Sequence, residues 1–560
     1  MTKIATEQND VVEIIFQSGK EYQDAFNDVE LDVVFTSTDG SERSVPAFWS
    51  GDHIWRVRWS CHVIGTYRYC TICSDDRNAD LHGQEGVVEV VPYEGSNGFL
   101  RHGHIRVASD HRHFEHEDGT PFFWLGDTWW MGLCRRFRWP QDVQRLAEDR
   151  VKKGFTVINI VAGLYPDMPP FDERGMNEAG FPWEEDYARI NPAYFDEADQ
   201  RISYLVKMGL VPAICGCWGY FLGYMGKQKM QQHWRYLVAR YGAYPVVWGL
   251  AGEYSSPFYL SENKKNEEME LEKGWMEMGH YLSQINAFDN PITNHPSLVG
   301  ESNAFGQLGI TNHQSLVGGG KARIERPAFI DFSLYCPGHL GHLIFPDAMR
   351  RMRLYLDHEP KVPVLIGEVA YEGIYGASHD DIQRLLFWSA MLSGAAGHTY
   401  GANGIWQVNT EEQSFGPSPG GYAWGGPSWP AAAELPGSTQ LGIGRKFLER
   451  YPWRQFEQHP EWVGIEKKLN FYAPAFDDYF VPYAAGIPGK VRMIYFADGY
   501  LAILKQVKSL EPKVNYRAFL FDPANGNEHN LGKVVADRKG NWDLPMQPIL
   551  HDWVLVLESQ

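Results

Sequence analysis

The alternation of hydrophobic and polar residues changes twice along the chain. Residues 1–105 alternate over short stretches such as 29–35, and turn residues such as Asp39-Gly40 separate them. A period of two broken by turns is typical of half-buried strands, so this part is predicted to be a β-sandwich. Alternation returns over residues 461–560 and ends in an apolar run at 553–557. We predict a second, small β-sandwich there.

Residues 106–460 instead alternate between short apolar runs and longer amphipathic segments. Eight runs are predicted to be strands, at 122–125, 156–161, 211–214, 246–250, 291–294, 328–332, 363–366 and 395–399. Helices are predicted between most of them, at 142–153, 197–208, 229–241, 267–285 and 380–392. Parallel strands with helical crossovers follow from this alternation. The predicted fold class is therefore α/β, with a (β/α)8 TIM barrel between two β domains.

A short repeat leaves the register of the fifth and sixth strands open. The sequence of residues 293–300, TNHPSLVG, recurs at 311–318 as TNHQSLVG. Two copies are too few for a repeat architecture. Either copy could supply the barrel strand.

Composition narrows the classes of partner. The 560 residues carry 51 Lys and Arg against 70 Asp and Glu, a formal net charge of −19, which repels phosphate backbones and anionic lipid. We expect no nucleic-acid partner and no membrane partner, and we leave a homo-oligomer open. The first residues lack the apolar core of a secretory signal and seven cysteines fit a reduced compartment, so a cytoplasmic protein is expected.

Two glutamates stand where barrel catalysis is expected. Catalytic groups of such barrels project from the C-terminal ends of strands. Glu253 ends the fourth predicted strand after Ala-Gly, and Glu368 ends the seventh after Ile-Gly. Cleaving a glycosidic bond needs one carboxyl group to protonate the leaving oxygen and another to stabilise or attack the anomeric carbon. Each glutamate alone could equally be a structural carboxylate at the rim.

The same strand-end rule gives candidate contacts to a substrate. Asp127 precedes two indoles, Trp129 and Trp130, and could hold sugar hydroxyls or simply cap a helix. Weaker candidates, each of which could be an ordinary core residue, are Asn159, Trp218, His295, Tyr335, His398 and Tyr400. The 20 Trp, 29 Tyr and 30 Phe residues favour a carbohydrate substrate only mildly, because aromatic rings also fill large cores.

No metal or cofactor is expected. The histidines at 101–104, 111–113 and 339–342 are not joined to a carboxylate or thiol at ligand spacing, and Cys70-Thr-Ile-Cys73 lies in a strand-like segment. The chain also lacks GxxxxGK[ST] and a strand–GxGxxG–helix unit, the usual nucleotide motifs.

Three motifs resemble the apiosidase-like family, glycoside hydrolase family 140. They are FFWLGDTWW at 122–130, PVLIGEVAYEG at 363–373 and GAAGHTYGANGIW at 394–406. The latter two contain Tyr371 and Trp406, which we also expect at the substrate. Residues 1–100 are similar to the immunoglobulin-like domain that precedes such barrels, and 553–557 resemble the β-sandwich that often follows.

The resemblance implies a glycoside hydrolase with Glu253 as acid/base and Glu368 as nucleophile. Members of the family often carry Asp where this chain has Glu253, which argues against apiose itself as the substrate. We expect retaining, exo-acting hydrolysis of a terminal or side-chain pentose or hexose. The alternatives are an endo-β-glycanase with an open cleft and a non-catalytic carbohydrate-binding barrel.

Overall fold

A computed structural model describes residues 2–296, 326–467, 479–497 and 502–560. The N-terminal strands form two facing sheets, of order β1-β8-β7-β3-β4 and β2-β6-β5. Their inward residues, among them Val33, Val57 and Val88, are fully buried in one core. The predicted N-terminal β-sandwich is therefore observed. Its strands are β1 (Thr2–Glu7), β2 (Val12–Gln17), β3 (Leu31–Thr36), β4 (Glu42–Pro46), β5 (Phe48–Trp49), β6 (Ile54–Trp59), β7 (Gly65–Cys73) and β8 (Glu85–Val91).

A short antiparallel sheet follows and leads into the barrel. It consists of β9 (Ile105–Val107), β10 (Phe114–His116) and β11 (Pro121–Phe122). The ring of Phe114 lies 5.2 Å from that of Trp124 and 5.1 Å from that of Phe332, at the N-terminal ends of barrel strands. Phe114 is completely buried, so this sheet closes one end of the barrel and leaves the other for a site.

Eight parallel strands make the barrel, as predicted. They pair in the order β16-β15-β14-β13-β12-β19-β18-β17. Hydrogen bonds from Asp331 N to Ile292 O (2.9 Å) and from Thr293 Oγ1 to Phe332 O (2.8 Å) join the two ends of this sheet. The strands are β12 (Trp124–Thr128), β13 (Val157–Val161), β14 (Val211–Cys215), β15 (Val247–Gly249), β16 (Ile292–Thr293), β17 (Ser333–Tyr335), β18 (Val364–Ile366) and β19 (Gly397–Tyr400).

The helices lie where the amphipathic segments predicted them, with additional ones. A run of β-branched residues makes β13 a fully buried strand, whereas α3 has an apolar face and ends at Gly154 with φ 94°. The helices are α1 (Ala25–Asp28), α2 (Gly98–His102), α3 (Gln141–Lys153), α4 (Pro192–Lys207), α5 (Phe221–Tyr241), α6 (Lys264–Ile285), α7 (Phe345–Asp357), α8 (Asp380–Met391), α9 (Trp429–Ala433) and α10 (Pro436–Leu448). Within the described ranges, none of them combines the length and apolarity that crossing a bilayer would need.

The sixth strand lies later in the chain than the predicted range 328–332. Residues 328 and 329 form a turn after Pro327, residue 332 is a bend, and the strand is β17, Ser333–Tyr335. The fifth strand, β16, ends at Thr293, the first residue of the first repeat copy. The second copy, at 311–318, lies outside the described residues.

The C-terminal part forms a sheet of order β20-β22-β23-β28-β25-β26 and a smaller one of order β21-β24-β27. The small C-terminal β-sandwich is thus also observed. It packs on the barrel helices through Trp388 against Tyr495 and Phe447 stacked on Phe521. Its strands are β20 (Glu457–Gln458), β21 (Val463–Lys467), β22 (Tyr483–Ile487), β23 (Val491–Phe496), β24 (Ala502–Val507), β25 (Tyr516–Phe521), β26 (Glu528–Lys533), β27 (Trp542–Asp543) and β28 (Trp553–Ser559).

Candidate active site

Both predicted glutamates lie just beyond the C-terminal ends of barrel strands. Glu253 follows β15 and Glu368 follows β18, and each comes directly after a glycine. A Cβ atom on Gly252 would collide with the indole of Trp218, and one on Gly367 would lie 2.7 Å from Leu334 Cδ2. The glycines therefore let the backbone come close to neighbouring elements where each glutamate enters the mouth of the barrel.

Glu368 is held by groups from three different strand ends. Its Oε2 lies 2.8 Å from His295 Nε2, in a pair that is almost wholly buried. Its Oε1 accepts a hydrogen bond from Tyr371 Oη and lies 3.7 Å from His339 Nε2. Both carboxylate oxygens are thus oriented by fixed partners, which leaves the group little freedom to rotate.

The charges around Glu368 keep it ionised. Burial by itself would raise the pKa of Glu368, but the charge of His295 and hydrogen bonds from His295 and Tyr371 lower it to about 2. Burial likewise opposes protonation of His295, yet Glu368 raises the pKa of that imidazole above its ordinary value. Burial dominates at His339 and lowers its pKa. The mouth therefore contains a carboxylate of lowered pKa beside an imidazole of raised pKa.

Glu253 faces the same pair. It is half-buried, and its charge is among the causes that raise the pKa of His295 and of the Cys336 thiol, both of which also feel Glu368. The charges of both predicted carboxylates therefore act on one imidazole at the mouth. The backbone of Glu253 has φ 42°, a left-handed conformation that costs a residue with a Cβ and is often found at functional sites.

Aromatic rings surround Glu368. Trp130 donates its Nε1 hydrogen to Tyr371 Oη at 2.9 Å, and its ring meets that of Trp218 edge-on at 5.6 Å. Tyr371 stacks between His339 and Trp406, with ring centroids 4.5 Å and 5.9 Å apart. These predicted residues thus form one continuous wall beside Glu368, of the kind that packs against the apolar faces of a ligand.

Several buried donors at the mouth have no hydrogen-bond partner within the described ranges. They are Nε1 of Trp218, Nε1 of Trp406 and Nδ2 of Asn294. Asn294 lies beside Glu253, since its Oδ1 accepts from Ala251 N at 3.1 Å. Asn159, also predicted, has Nδ2 3.5 Å from Gly367 O and so points to the same end of the barrel. Buried polar groups left unpaired are costly, so such donors suit a polar ligand.

A third carboxyl group, which sequence reasoning missed, joins two loops at the mouth. Asp167 accepts a hydrogen bond from Trp424 Nε1 at 2.9 Å, and its backbone N lies 3.3 Å from Tyr259 Oη. Burial and, to a smaller extent, the charge of Glu368 raise the pKa of Asp167. Trp424 belongs to the Gly-, Pro- and Trp-rich loop 414–430, which Asp167 thereby ties to the segment after Glu253. Asp167 follows β13 within a buried, largely apolar loop, where a single carboxylate shows no motif in the sequence.

Two residues near β12 that were predicted to contact substrate instead stabilise the fold. Asp127 is completely buried and accepts hydrogen bonds from Arg150 Nε at 2.6 Å and Trp129 Nε1 at 2.7 Å. Because its carboxylate compensates the buried Arg150 charge, we correct the prediction that Asp127 holds sugar hydroxyls. Trp129 packs edge-on against Phe137, away from the aromatic wall.

Three further predicted contacts point outward from the barrel to its helices. Tyr335 packs against Tyr355 of α7, and His398 packs against Phe387 of α8. Burial lowers the pKa of His398 to about 3, so it is neutral. Tyr400 donates to Glu372 Oε2 at 2.5 Å. These side chains stabilise the layer between strands and helices, and the prediction that they contact substrate is corrected.

The residues that could hold a metal ion come from three strand ends. Donor atoms of His295, Cys336 and Glu368 all lie within 4.8 Å of one another. Cys336 and His339 follow β17, and correct placement of that strand would have marked Cys336 by the strand-end rule. The spacing of the His339-Leu-Gly-His342 motif predicts no metal site, because Glu368, which lies near His339 in space, is far from it in the sequence.

Comparison with known proteins bears on the family and the fold of the chain. The chain matches the family described as "Apiosidase-like, catalytic domain" over residues 108–455, and a domain of unknown function, DUF5060, over residues 5–74. None of the curated proteins matches it in sequence.

Solved structures share the fold at low identity. A glycoside hydrolase has a TM-score of 0.62 at 20% identity, covering 82% of this chain and 97% of its own. A provisionally assigned glycoside hydrolase of Bacteroides vulgatus ATCC 8482 has a TM-score of 0.68 at 15% identity over 100% of both chains. A glycoside hydrolase family 5 structure from the same organism has a TM-score of 0.62 at 17% identity, covering 82% of this chain and 93% of its own. Because the family match spans more than half of the sequence, the chain belongs to the Apiosidase-like family and is a glycoside hydrolase.

Proposed function

We propose that this glycoside hydrolase removes a terminal or side-chain sugar with retention of configuration. Glu368 attacks the anomeric carbon to form a glycosyl-enzyme intermediate, and Glu253 first protonates the leaving oxygen and then activates water. The observation that carries this proposal is the contact of Glu368 with both His295 and Tyr371. It supports a carboxylate that is ionised and oriented before the sugar arrives.

The assignment of the second role to Glu253 rests on its surroundings. Glu253 and Glu368 both act on the imidazole of His295, so they belong to one mouth. The negative charge of an ionised carboxylate favours the protonated form of a second carboxyl group nearby, as a general acid requires. Retention would need the carboxyl groups to be about 5 to 5.5 Å apart.

Exo action is supported by the walls of the mouth. Trp406 and Trp424 meet edge-on at 6.2 Å, so loop 414–430 folds against the aromatic wall. Asn403 and Asn409 hold this loop by donating to Trp424 O and Gly425 O. A loop fixed over one side favours a pocket for a single sugar over a cleft for a long chain. The unpaired nitrogens of Trp218, Trp406 and Asn294 would donate to its hydroxyls.

The leaving group has space beyond Glu253. A cavity of about 680 Å³ is lined by Tyr220, Tyr224, Phe258 and Leu260. Phe258 and Leu260 belong to the segment that follows Glu253 in the chain, which connects this cavity to the loop that carries Glu253. We infer that the cavity takes the part of an oligosaccharide or small glycoside that departs with the leaving oxygen.

Azide rescue tests the two roles. Aryl glycosides of pentofuranoses and common hexoses are screened first to find a substrate. Glu368→Gly should then abolish turnover, and azide should restore it with a glycosyl azide of inverted configuration. Glu253→Gly should slow poor leaving groups by about 10²- to 10⁴-fold and nitrophenyl leaving groups much less, because the latter need no proton. With Glu253→Gly, azide should give a glycosyl azide of retained configuration.

The matched control for Glu368 is Glu372→Gln, which changes a buried carboxyl on the same loop whose partners are Tyr400 and Gly437. Azide should not alter its rate. NMR of the first product of the wild-type enzyme reports the configuration directly. An inverted first product, or near-normal activity of Glu368→Gly, would contradict the mechanism. Release of internal oligosaccharides from polysaccharides would favour the endo-glycanase, and sugar binding unaffected by either variant without any turnover would favour a binding barrel.

A further inference from the structure

Three residues at adjacent strand ends bring a nitrogen, a sulfur and a carboxylate together. His295 Nε2 lies 2.8 Å from Glu368 Oε2 and 3.3 Å from Cys336 Sγ. All three side chains are buried, and they follow β16, β17 and β18. The cysteine has no part in the glycosidase mechanism above, in which an imidazole and a carboxylate suffice.

The three groups have the chemistry of a zinc site. Imidazole nitrogen, thiolate sulfur and carboxylate oxygen are the ligands that Zn²⁺ takes, at about 2.0 to 2.3 Å. Tetrahedral angles then put ligand atoms roughly 3.3 to 3.8 Å apart. The present separations of 2.8 and 3.3 Å are shorter than this by less than about 1 Å. Small side-chain movements would therefore admit the ion.

The fourth position is left to a water molecule. His339 Nε2 lies 3.7 Å from Glu368 Oε1, the oxygen that His295 does not contact, so His339 stands outside the group of three ligands. The sulfur also determines which metal ion the site prefers. A thiolate ligand favours Zn²⁺ and similar soft ions over Mg²⁺ and Ca²⁺, which prefer oxygen ligands.

We propose that a thiophilic divalent cation of the Zn²⁺ class binds His295, Cys336 and Glu368 and thereby inhibits the enzyme. On binding, the proton held between His295 and Glu368 and the thiol proton of Cys336 pass to solvent, so that a neutral imidazole and a thiolate bind the ion. The ion then takes a carboxylate oxygen that would attack the anomeric carbon and separates Glu368 from His295. The inhibitory consequence rests on the proposed function, whereas the binding of the ion rests on the cluster alone.

Cobalt absorption tests binding without any substrate. The enzyme is freed of metal, and Co²⁺ is added as a spectroscopic substitute for Zn²⁺. One equivalent should produce the near-ultraviolet charge-transfer band of a Co²⁺–thiolate bond, and Zn²⁺ but not Mg²⁺ should remove it. Ions on surface histidines give no such band. Cys336→Ser should abolish the band, and Glu368→Gln should weaken the affinity.

Cys70→Ser is the matched control, because Cys70 is a half-buried free thiol in the N-terminal sandwich. It should keep the band. If no band appears with the wild-type enzyme, or if the band survives Cys336→Ser, the proposed site is wrong. If Cys336→Ser fails to fold, the stoichiometry in the wild-type enzyme and the weakening by Glu368→Gln decide instead.

Inhibition is measured separately, each variant against its own metal-free rate. Zn²⁺ should inhibit the wild-type enzyme, and Cys336→Ser should need at least about tenfold more Zn²⁺ for the same inhibition. A thiolate band without inhibition would contradict the role given to Glu368 in catalysis and leave the ion site standing. Inhibition without a band would instead contradict the ion site and leave the mechanism standing.

Discussion

At the scale of single residues, His295 links the parts of the active site. Its ring contacts Trp130 and Trp218, its Nε2 pairs with Glu368, and its pKa responds to Glu253. A buried imidazole without a carboxylate partner would be neutral. The pair with Glu368 therefore raises the pKa of the imidazole, and the charge and hydrogen bond of His295 in turn help to lower the pKa of Glu368.

His295→Asn should make the activity more sensitive to acid. The pKa of Glu368 is lowered to about 2 in the folded protein, so in the wild-type enzyme Glu368 stays ionised over the usual assay range. In the variant, the charge of His295 would no longer oppose the effect of burial, and the pKa of Glu368 would rise. The acid limb of a plot of kcat/KM against pH should then move up by about 1 to 3 pH units. Steady-state kinetics between pH 4 and 8, expressed as kcat/KM, measure this.

The contribution of the Glu368–His295 pair to the stability of the folded protein is likewise lost at low pH. Because the pKa of Glu368 falls on folding, its contribution is present above the ordinary value of 4.5 and is lost as the pH falls towards 2. His339→Asn is the control, since His339 lies farther from Glu368 and burial lowers its pKa. It should shift the acid limb less. Equal shifts in the two variants would refute the role of the His295 charge.

The strand-end rule predicts the position of a residue along a strand but not the direction of its side chain. Glu253, Glu368 and His295 each follow an apolar run and lie at the mouth of the barrel, while their roles stay predictions. Tyr335 and His398 lie within or at the end of such runs too, but they point to the helices. In a parallel barrel both faces of a strand are buried, so the apolar pattern does not distinguish inward from outward side chains.

At the scale of elements, the mouth depends on loops that carry no periodic signal. The strands and most helices were predictable because apolar period and length identify them. The sixth strand was predicted too early in the chain, because residues 328–332 between Pro327 and the buried Phe332 resemble a strand. The observed strand, β17, has only three residues. Asp167 and His339 reach the site from loops whose spacing in the sequence says nothing about their distance in space, whereas Cys336 directly follows β17 and was missed with that strand.

Trp424→Phe should weaken substrate binding while leaving the chemistry intact. The phenyl ring keeps contact with Trp406, but the hydrogen bond from Nε1 to Asp167 is lost. One such bond is worth about 1 kcal/mol, or roughly a fivefold change. If loop 414–430 closes the sugar pocket, KM should rise by about that factor and kcat should change little. Initial rates over a range of substrate concentrations separate the two constants.

Tyr422→Phe is the matched control, because Tyr422 stacks on Trp424 but is largely exposed. It should leave KM unchanged. A fall in kcat with constant KM in Trp424→Phe would instead mean that Asp167 acts on the chemical step.

At the scale of the whole molecule, buried charges join the barrel to both β domains. Arg58 of the N-terminal sandwich donates to Arg240 O at 2.9 Å and pairs with Asp199 of α4. Arg384 of α8 forms a two-pronged contact with Asp552, which also accepts from Tyr495 Oη at 3.1 Å. Arg58 also pairs with Glu13 of its own domain and Arg384 with Asp380 of its own helix, but separating the domains would remove one buried partner of each arginine. The flanking domains are therefore expected to unfold with the barrel.

Asp552→Ala should destabilise the molecule strongly. Removing one partner of a buried ion pair typically costs about 3 to 5 kcal/mol, and we expect the lower end because Asp380 and Gln440 still contact Arg384. The midpoint of urea unfolding, followed by tryptophan fluorescence, should fall accordingly. Arg450→Ala is the matched control: Arg450 and Glu528 join the same two domains, but their side chains are 46% and 36% exposed. Exposed pairs contribute at most about 1 kcal/mol and are screened by salt. Equal losses in the two variants would mean that burial of the pair is irrelevant to the junction. A loss in Asp552→Ala that persists at high salt, beside a small salt-sensitive one in Arg450→Ala, is the expected result.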